Sequence, residues 1–158
     1  MWGGAGNVDP KAVEVFDQCT ETWRKHITKG ILHPGVSSVA CTACEGHLYA
    51  YGGIGGAERQ AALSKLDVST LTWSLLSPQD PNGPMRKWEC GMVCFHGCIL
   101  TVFGGYGIPN YPLQPGSEFT QDDRYRNCEI GWTNELHAFD ISKGIYNYAV
   151  TNDIFLLV

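Results

Sequence analysis

The sequence is poor in charge and has no long apolar segment. Charged residues make up 17% of its 158 residues, with 11 Lys or Arg against 16 Asp or Glu. With a formal charge of -5, the chain does not have the excess of basic residues that a general nucleic-acid-binding domain needs. The longest stretch without Asp, Glu, Lys or Arg covers residues 90–117, but Gly and Pro interrupt it, so it predicts no membrane helix. We therefore expect neither nucleic acid nor membrane as a partner.

Secretion signals are missing as well. The N-terminus has no basic region followed by an apolar one, and no Asn-x-Ser/Thr sequon occurs in the chain. Seven cysteines cannot all pair with one another inside one chain. These features predict a reducing compartment, so we expect a cytoplasmic or nuclear location, or both.

No segment shows a helical period, whereas 19 glycines indicate many tight turns and an all-β fold. Three Gly-Gly pairs, each after apolar or aromatic residues, recur at a period of about fifty residues. The short runs before the second and third pair are rich in β-formers, which predicts strands that end at the glycines. The pairs are Gly3-Gly4, Gly52-Gly53 and Gly104-Gly105.

A second signal follows each glycine pair in the same order. An apolar residue precedes Asp17, Asp67 and Asp140, and an aromatic residue stands six positions after each of these aspartates. Glu45-Gly46 and His96-Gly97 lie between apolar runs and predict hairpin turns. Each period then holds about four short strands, which is typical of a propeller blade. The aromatics are expected to pack within or between the units; they are Trp23, Trp73 and Tyr146.

In these glycine pairs, Asp positions and spaced aromatics, the chain resembles the kelch-repeat family. The resemblance implies an incomplete kelch β-propeller with four-stranded antiparallel blades and no enzymatic activity. It covers residues 1–149, with blade remnants at 1–30, 36–76 and 88–149, and leaves a divergent tail at 150–158. Because three blades do not close a ring, we expect a piece of a longer propeller.

The long third period carries Tyr106 directly after Gly-Gly, and Trp132 in a Gly-Trp-x-x motif. In this arrangement the chain resembles the kelch domain-containing protein 2 group. That resemblance implies a substrate-recognition propeller of a cullin-RING ubiquitin ligase that binds the C-terminal peptides of its substrates. Tyr106 and Trp132 would line the peptide pocket, together with the basic residue Lys87. In a full-length parent the partners would include elongin and cullin.

Two other functions stay open at this point. The chain could be a general kelch scaffold for cytoskeletal or signalling partners, or a fragment without a function of its own. A copper-radical or lyase enzyme on such a propeller would need clustered ligands, and the five histidines show no repeated spacing that would bring two together. We therefore predict a protein-interaction module with no catalytic residues and no cofactor.

Cys41-x-x-Cys44, followed by His47, is the one motif with metal-ligand spacing. No second pair of ligands stands at zinc spacing from it. Small cysteines in strands are more often packed than ligating. We therefore predict no metal site.

Overall fold

The computed structural model of the protein describes residues 2–4, 9–55, 58–77, 80, 83–110, 112–113, 116–125 and 127–148. Within these ranges the chain is all-β, with seventeen strands, one short 3-10 turn and no α-helix. Nothing helical in this part of the chain is long or apolar enough to cross a membrane. The all-β prediction is confirmed. The predicted divergent tail lies outside the described residues.

The first two repeat units differ in size. The first unit is a hairpin of β1 (Ala12–Asp17) and β2 (Thr22–Ile27). A two-residue strand, β3 (Lys29–Gly30), then pairs in parallel with the last strand of the second unit. The second unit itself is four antiparallel strands in the order β4 (Ala40–Cys44), β5 (His47–Tyr51), β8 (Leu63–Asp67) and β9 (Thr72–Ser77). A small ribbon of β6 (Ile54–Gly55) and β7 (Glu58–Arg59) lies between β5 and β8 in the chain.

The third unit is a second four-stranded antiparallel sheet. Its strands follow in the order β11 (Gly91–Phe95), β12 (Ile99–Phe103), β16 (Leu136–Asp140) and β17 (Ile145–Tyr148). A further four-stranded antiparallel sheet, the insertion sheet, has the order β10 (Arg86–Trp88), β13 (Tyr106–Ile108), β15 (Gly131–Thr133) and β14 (Phe119–Gln121). Four-stranded antiparallel blades are thus confirmed for the second and third units, while the first shows two strands in the described residues.

The repeated aspartates close the last hairpin of each unit. Oδ1 of Asp17, Asp67 and Asp140 accepts hydrogen bonds from the backbone N–H groups two and three residues further on. This side-chain bond imitates a backbone turn. The Ser69 hydroxyl and neighbouring N–H groups lower the pKa of Asp67 to about 2. The recurring Asp is therefore a turn residue.

The six repeat glycines all have positive φ angles, in the range that favours glycine: they are Gly3, Gly4, Gly52, Gly53, Gly104 and Gly105. At Gly52 a side chain is also excluded by space, because a Cβ would collide with the carbonyl oxygen of Lys87. The neighbouring Gly53 N–H donates to that same oxygen at 3.0 Å. The second glycine pair thus lets the backbone at Lys87, just before the third unit, approach the end of β5 closely.

Two apolar clusters hold the units together, and strand β5 contributes to both. Tyr49 and Tyr51 lie in the cluster between the second and third units, with Leu63, Leu100, Val102 and Phe139 among its members. Ala50 lies in the cluster between the first and second units, with Val13, Leu66 and Trp73. This division follows from the strand period of two, which sends neighbouring side chains to opposite faces.

The three repeat aromatics differ in their surroundings. Trp73 is 1% exposed, and its ring centroid lies 4.9 Å from that of Trp2. Tyr146 is half-buried and packs on Phe139, with 4.9 Å between ring centroids. Trp23 is 57% exposed and has a ring contact with Phe16.

His33 joins the first and second units. The Gly52 carbonyl oxygen can only accept, so Nε2 carries the proton and donates to it at 2.9 Å. Nδ1 then accepts from the Ser64 hydroxyl at 3.0 Å. Burial of the ring lowers the pKa of His33 to about 4. The imidazole is therefore a neutral, fully hydrogen-bonded link.

Candidate functional site

The long third period builds the insertion sheet. Strands β13, β14 and β15 come from the segment between Gly105 and Asp140, and β10 comes from the link before the third unit. Gly107 and Gly131 stand opposite each other in β13 and β15. A Cβ on either would collide with a carbonyl oxygen of the adjacent outer strand, that of Arg86 or of Thr120. These glycines therefore leave room for the backbone carbonyl groups of the two outer strands.

An aromatic row crosses this sheet. Trp88 stands opposite Tyr106, and Tyr106 stands opposite Trp132, in adjacent strands. The ring centroids are 4.8 Å apart at 78° in the first pair and 5.0 Å apart at 63° in the second. Edge-to-face pairs of this kind stabilise a sheet beyond the area they bury. Tyr106 is buried in the middle of the row, while Trp132 is 46% exposed at its end.

Tyr106 is also held through its hydroxyl group, which donates to Asp122 Oδ2 at 2.7 Å. Asp122 is buried, and its carboxylate accepts hydrogen bonds from Nε and Nη2 of Arg124 at 2.7 to 3.1 Å. Hydrogen bonds from Arg124 hold the pKa of the Asp122 carboxyl well below its usual range. Burial, and then the bond to Asp122, raises the pKa of Tyr106 to about 12. Runs of charged residues are usually solvated, but Asp122 in this run is buried.

Arg124 is the exposed end of this polar chain, with 73% of its side chain accessible to solvent. Trp132 and Arg124 are thus two exposed groups that are both anchored through Tyr106, one by ring contact and one through Asp122. An apolar indole and a guanidinium on rigid supports suit a ligand that carries both an apolar and an anionic group.

Lys87 lies on the other side of β10 from Trp88 and is fully buried. Its Nζ is 3.7 Å from Glu135 Oε2, and His137 Nε2 lies 3.6 Å from the same oxygen. Burial lowers the pKa of Lys87. Burial also acts to raise the pKa of Glu135, but His137 and Lys87 together hold it below its usual value. The structure therefore brings Tyr106 and Trp132 together and places Lys87 in the interior.

Sequence reasoning did not single out Trp88 and Arg124. Trp88 could have been found from its alternation with Lys87 in a short strand, but its register with Tyr106 depends on pairing across the fold. Cys41 and Cys44 lie on opposite faces of β4, since their spacing is odd. Among the residues that the structure describes, no three His, Cys, Asp or Glu side chains are grouped as a metal site would require.

The chain is similar to a known human protein. The chain is 26% identical over 155 residues to human "Kelch domain-containing protein 1", which covers 89% of this chain. The chain spans 37% of the length of that relative. No known protein-family profile matches the chain. The similarity supports the kelch-repeat interpretation and, with the all-β sheets, agrees with incomplete propeller blades.

Proposed function

We propose that the chain is a protein-interaction module that binds a peptide at the exposed end of the aromatic row. The observation that carries the proposal is Trp132, a half-exposed indole fixed on a strand by its ring contact with Tyr106. Large, rigid aromatics of this kind are frequent anchors in interfaces, because they bury much area at low entropic cost. The proposal assigns no reaction to the chain.

The ligand that fits best is an extended peptide that ends in a free carboxylate. Arg124 would receive the carboxylate, because its guanidinium is exposed and its orientation is set by three bonds to Asp122. Trp132 would cover the apolar part of the peptide. Lys87 would act as a positioning residue, since it lies in the same strand as Trp88 with its side chain buried on the opposite face.

The test starts from a library of random peptides that display free C-termini, screened against the whole chain. The best peptide is then synthesised with a fluorescent label, as the free acid and as the C-terminal amide. Trp132→Ala should weaken binding of the acid about 5- to 30-fold, the loss expected for an anchor residue. Arg124→Gln should remove most of the difference between acid and amide.

The matched control is Ile31→Ala, an exposed apolar residue far along the chain in the link after the first unit. Its peptide affinity should stay within twofold of the unchanged chain. If no peptide is enriched, or if Trp132→Ala binds as well as the control, the peptide site is wrong.

We further propose that this module belongs to a substrate receptor of a cullin-RING ubiquitin ligase, as the resemblance of Tyr106 and Trp132 to such receptors implies. Support for this comes from those two positions, and the kelch-domain relative supports the kelch repeats on which they stand. A tagged full-length parent that contains this chain should then co-purify elongin and cullin from cells, and microscopy should find it in the cytoplasm or nucleus. Peptide binding without elongin or cullin would leave a scaffold function in place of the ligase.

A further inference from the structure

Two cysteines from neighbouring units meet at the junction between the second and third units. Cys44 is the last residue of β4, and Cys94 lies in β11. Both side chains are partly buried and pack against the apolar cluster between these two units. The two thiols are hydrogen-bonded to each other. Both residues are free cysteines in this structure, so the contact joins two reduced sulfur atoms.

The strand registers explain why these two side chains face each other. Cys94 stands opposite Leu100 of β12, which is completely buried in that cluster. Thr42 stands opposite Tyr49 of β5, another member of the cluster, and Cys44 shares the face of Thr42 because it lies two residues further on. Strands β4 and β11 belong to different sheets, and their Cα atoms approach to within 8 Å. The packing of one sheet on the next therefore brings the two sulfurs together.

We propose that Cys44 and Cys94 are a redox modification site, at which a hydroperoxide converts the two thiols into a disulfide that joins the second and third units. Cysteines whose side chains already meet can be bridged without the backbone movement that distant cysteines need. The proposal does not depend on the peptide site, which lies in the insertion sheet.

The reaction has two steps. Hydrogen peroxide transfers one oxygen to the first thiol, which becomes a sulfenic acid, and one water leaves. The second sulfur then attacks the sulfenic sulfur, so that the S–S bond forms, the S–O bond breaks and a second water leaves. Two thiols and one peroxide thus give one disulfide and two waters, and two electrons pass from the sulfurs to the peroxide.

The surroundings of the pair indicate the order of these steps. Burial, and then the hydrogen bond to Cys44, raises the pKa of Cys94 to about 12. The thiolate is the reactive form of cysteine, so the Cys94 thiol is a poor first target for peroxide. We therefore expect Cys44 to be oxidised first and Cys94 to close the bond.

The disulfide should also change the stability of the chain. A bridge between residues 44 and 94 restricts the unfolded chain over that whole segment, and such restriction is the main source of disulfide stabilisation. The oxidised protein should melt at a temperature roughly 5–15 °C above that of the reduced protein. Dithiothreitol should reverse this shift.

The test treats the whole folded chain with an excess of hydrogen peroxide, blocks the remaining thiols with iodoacetamide and digests the protein with trypsin without reductant. Mass spectrometry should find a cross-link between the tryptic peptides 30–59 and 88–124, which contain Cys44 and Cys94. Fragmentation of the linked peptides assigns the bond to these two residues. The link should form at least about tenfold more slowly in urea, because the unfolded chain no longer holds the two sulfurs together.

Four variants make the assignment specific. Cys44→Ser and Cys94→Ser should each abolish the cross-link and the rise in melting temperature. The matched controls should keep both: Cys41→Ser changes the same strand on its opposite face, and Cys98→Ser changes an exposed cysteine at the turn between β11 and β12. Circular dichroism checks the fold, and Cys44→Ala replaces Cys44→Ser if the serine variant unfolds.

Three results would overturn the proposal. Peroxide could leave both thiols free, or oxidise them to sulfinic acids without a cross-link. The same cross-linked peptides could appear in Cys44→Ser or Cys94→Ser. A link that forms as fast in urea as in the folded protein would show that the junction does not bring the two sulfurs together.

Discussion

Removing one partner of the buried ion pair between Lys87 and Glu135 should strongly destabilise the protein. The Lys87 Nζ and Glu135 Oε2 atoms are 3.7 Å apart, and at an effective dielectric constant of about 20 two unit charges at this distance attract by roughly 4.5 kcal/mol. Breaking a buried pair usually costs about 3–5 kcal/mol, because one charge stays in the interior without compensation. Glu135→Gln should cost more than Lys87→Met, since His137 still faces Glu135 in the Lys87 variant.

The double variant makes the prediction specific. Lys87→Met with Glu135→Gln leaves neither charge, so its free energy of unfolding should exceed the additive expectation by at least about 2 kcal/mol. Urea unfolding followed by circular dichroism measures all four proteins. Lys25→Met is the matched control: its ion pair with Asp9 is shorter, at 3.4 Å, but about half exposed, so its loss should cost at most about 1 kcal/mol. Single effects that add within about 0.5 kcal/mol would show that the buried pair is not coupled.

Two further predictions concern structural hydrogen bonds. Burial lowers the pKa of His33 to about 4 in the folded protein. The neutral imidazole therefore stabilises the folded state fully above pH 6.5, and this stabilisation is lost as the pH falls towards 4. From pH 7 to pH 5 the chain should lose about 2 kcal/mol of unfolding free energy through this residue, and His33→Gln should lack this part of the pH dependence; an unchanged slope would contradict the neutral link. At the turn of the second unit, Asp67→Ala should lower the melting temperature by roughly 2–4 °C, whereas Asp67→Asn, which keeps an acceptor oxygen, should lower it less. Equal shifts for the two variants would mean that the bonds to Ser69 and Thr70 do not stabilise the turn.

Local signals predicted the parts of the fold that depend on neighbours in the chain. The turns at Glu45-Gly46 and His96-Gly97 have the positive φ angles that a tight hairpin needs, and dipeptides of this kind set such turns by themselves. The second and third Gly-Gly pairs likewise predicted the strand ends at Tyr51 and Phe103.

Contacts between distant segments were not predictable in the same way. Strand β10 pairs with β13, and β13 pairs with β15, although no turn motif joins them in the sequence. The burial of Lys87 and Asp122 depends on these pairings, because their partners Glu135 and Tyr106 are brought close by the insertion sheet. The sequence therefore shows the members of the aromatic row as separate residues. Only the fold shows that they form one row.

The backbone of Gly52 and Gly53 is hydrogen-bonded to both neighbouring segments: His33 donates to the Gly52 carbonyl oxygen, and the Gly53 N–H donates to the Lys87 carbonyl oxygen. In a repeat protein, the energy of the contacts between neighbours decides whether the repeats unfold one by one or together. Here one dipeptide belongs to both junctions, so the second unit cannot lose its strand end without releasing the first and the third. The three units consequently form one cooperative block, and heating should melt them in a single transition.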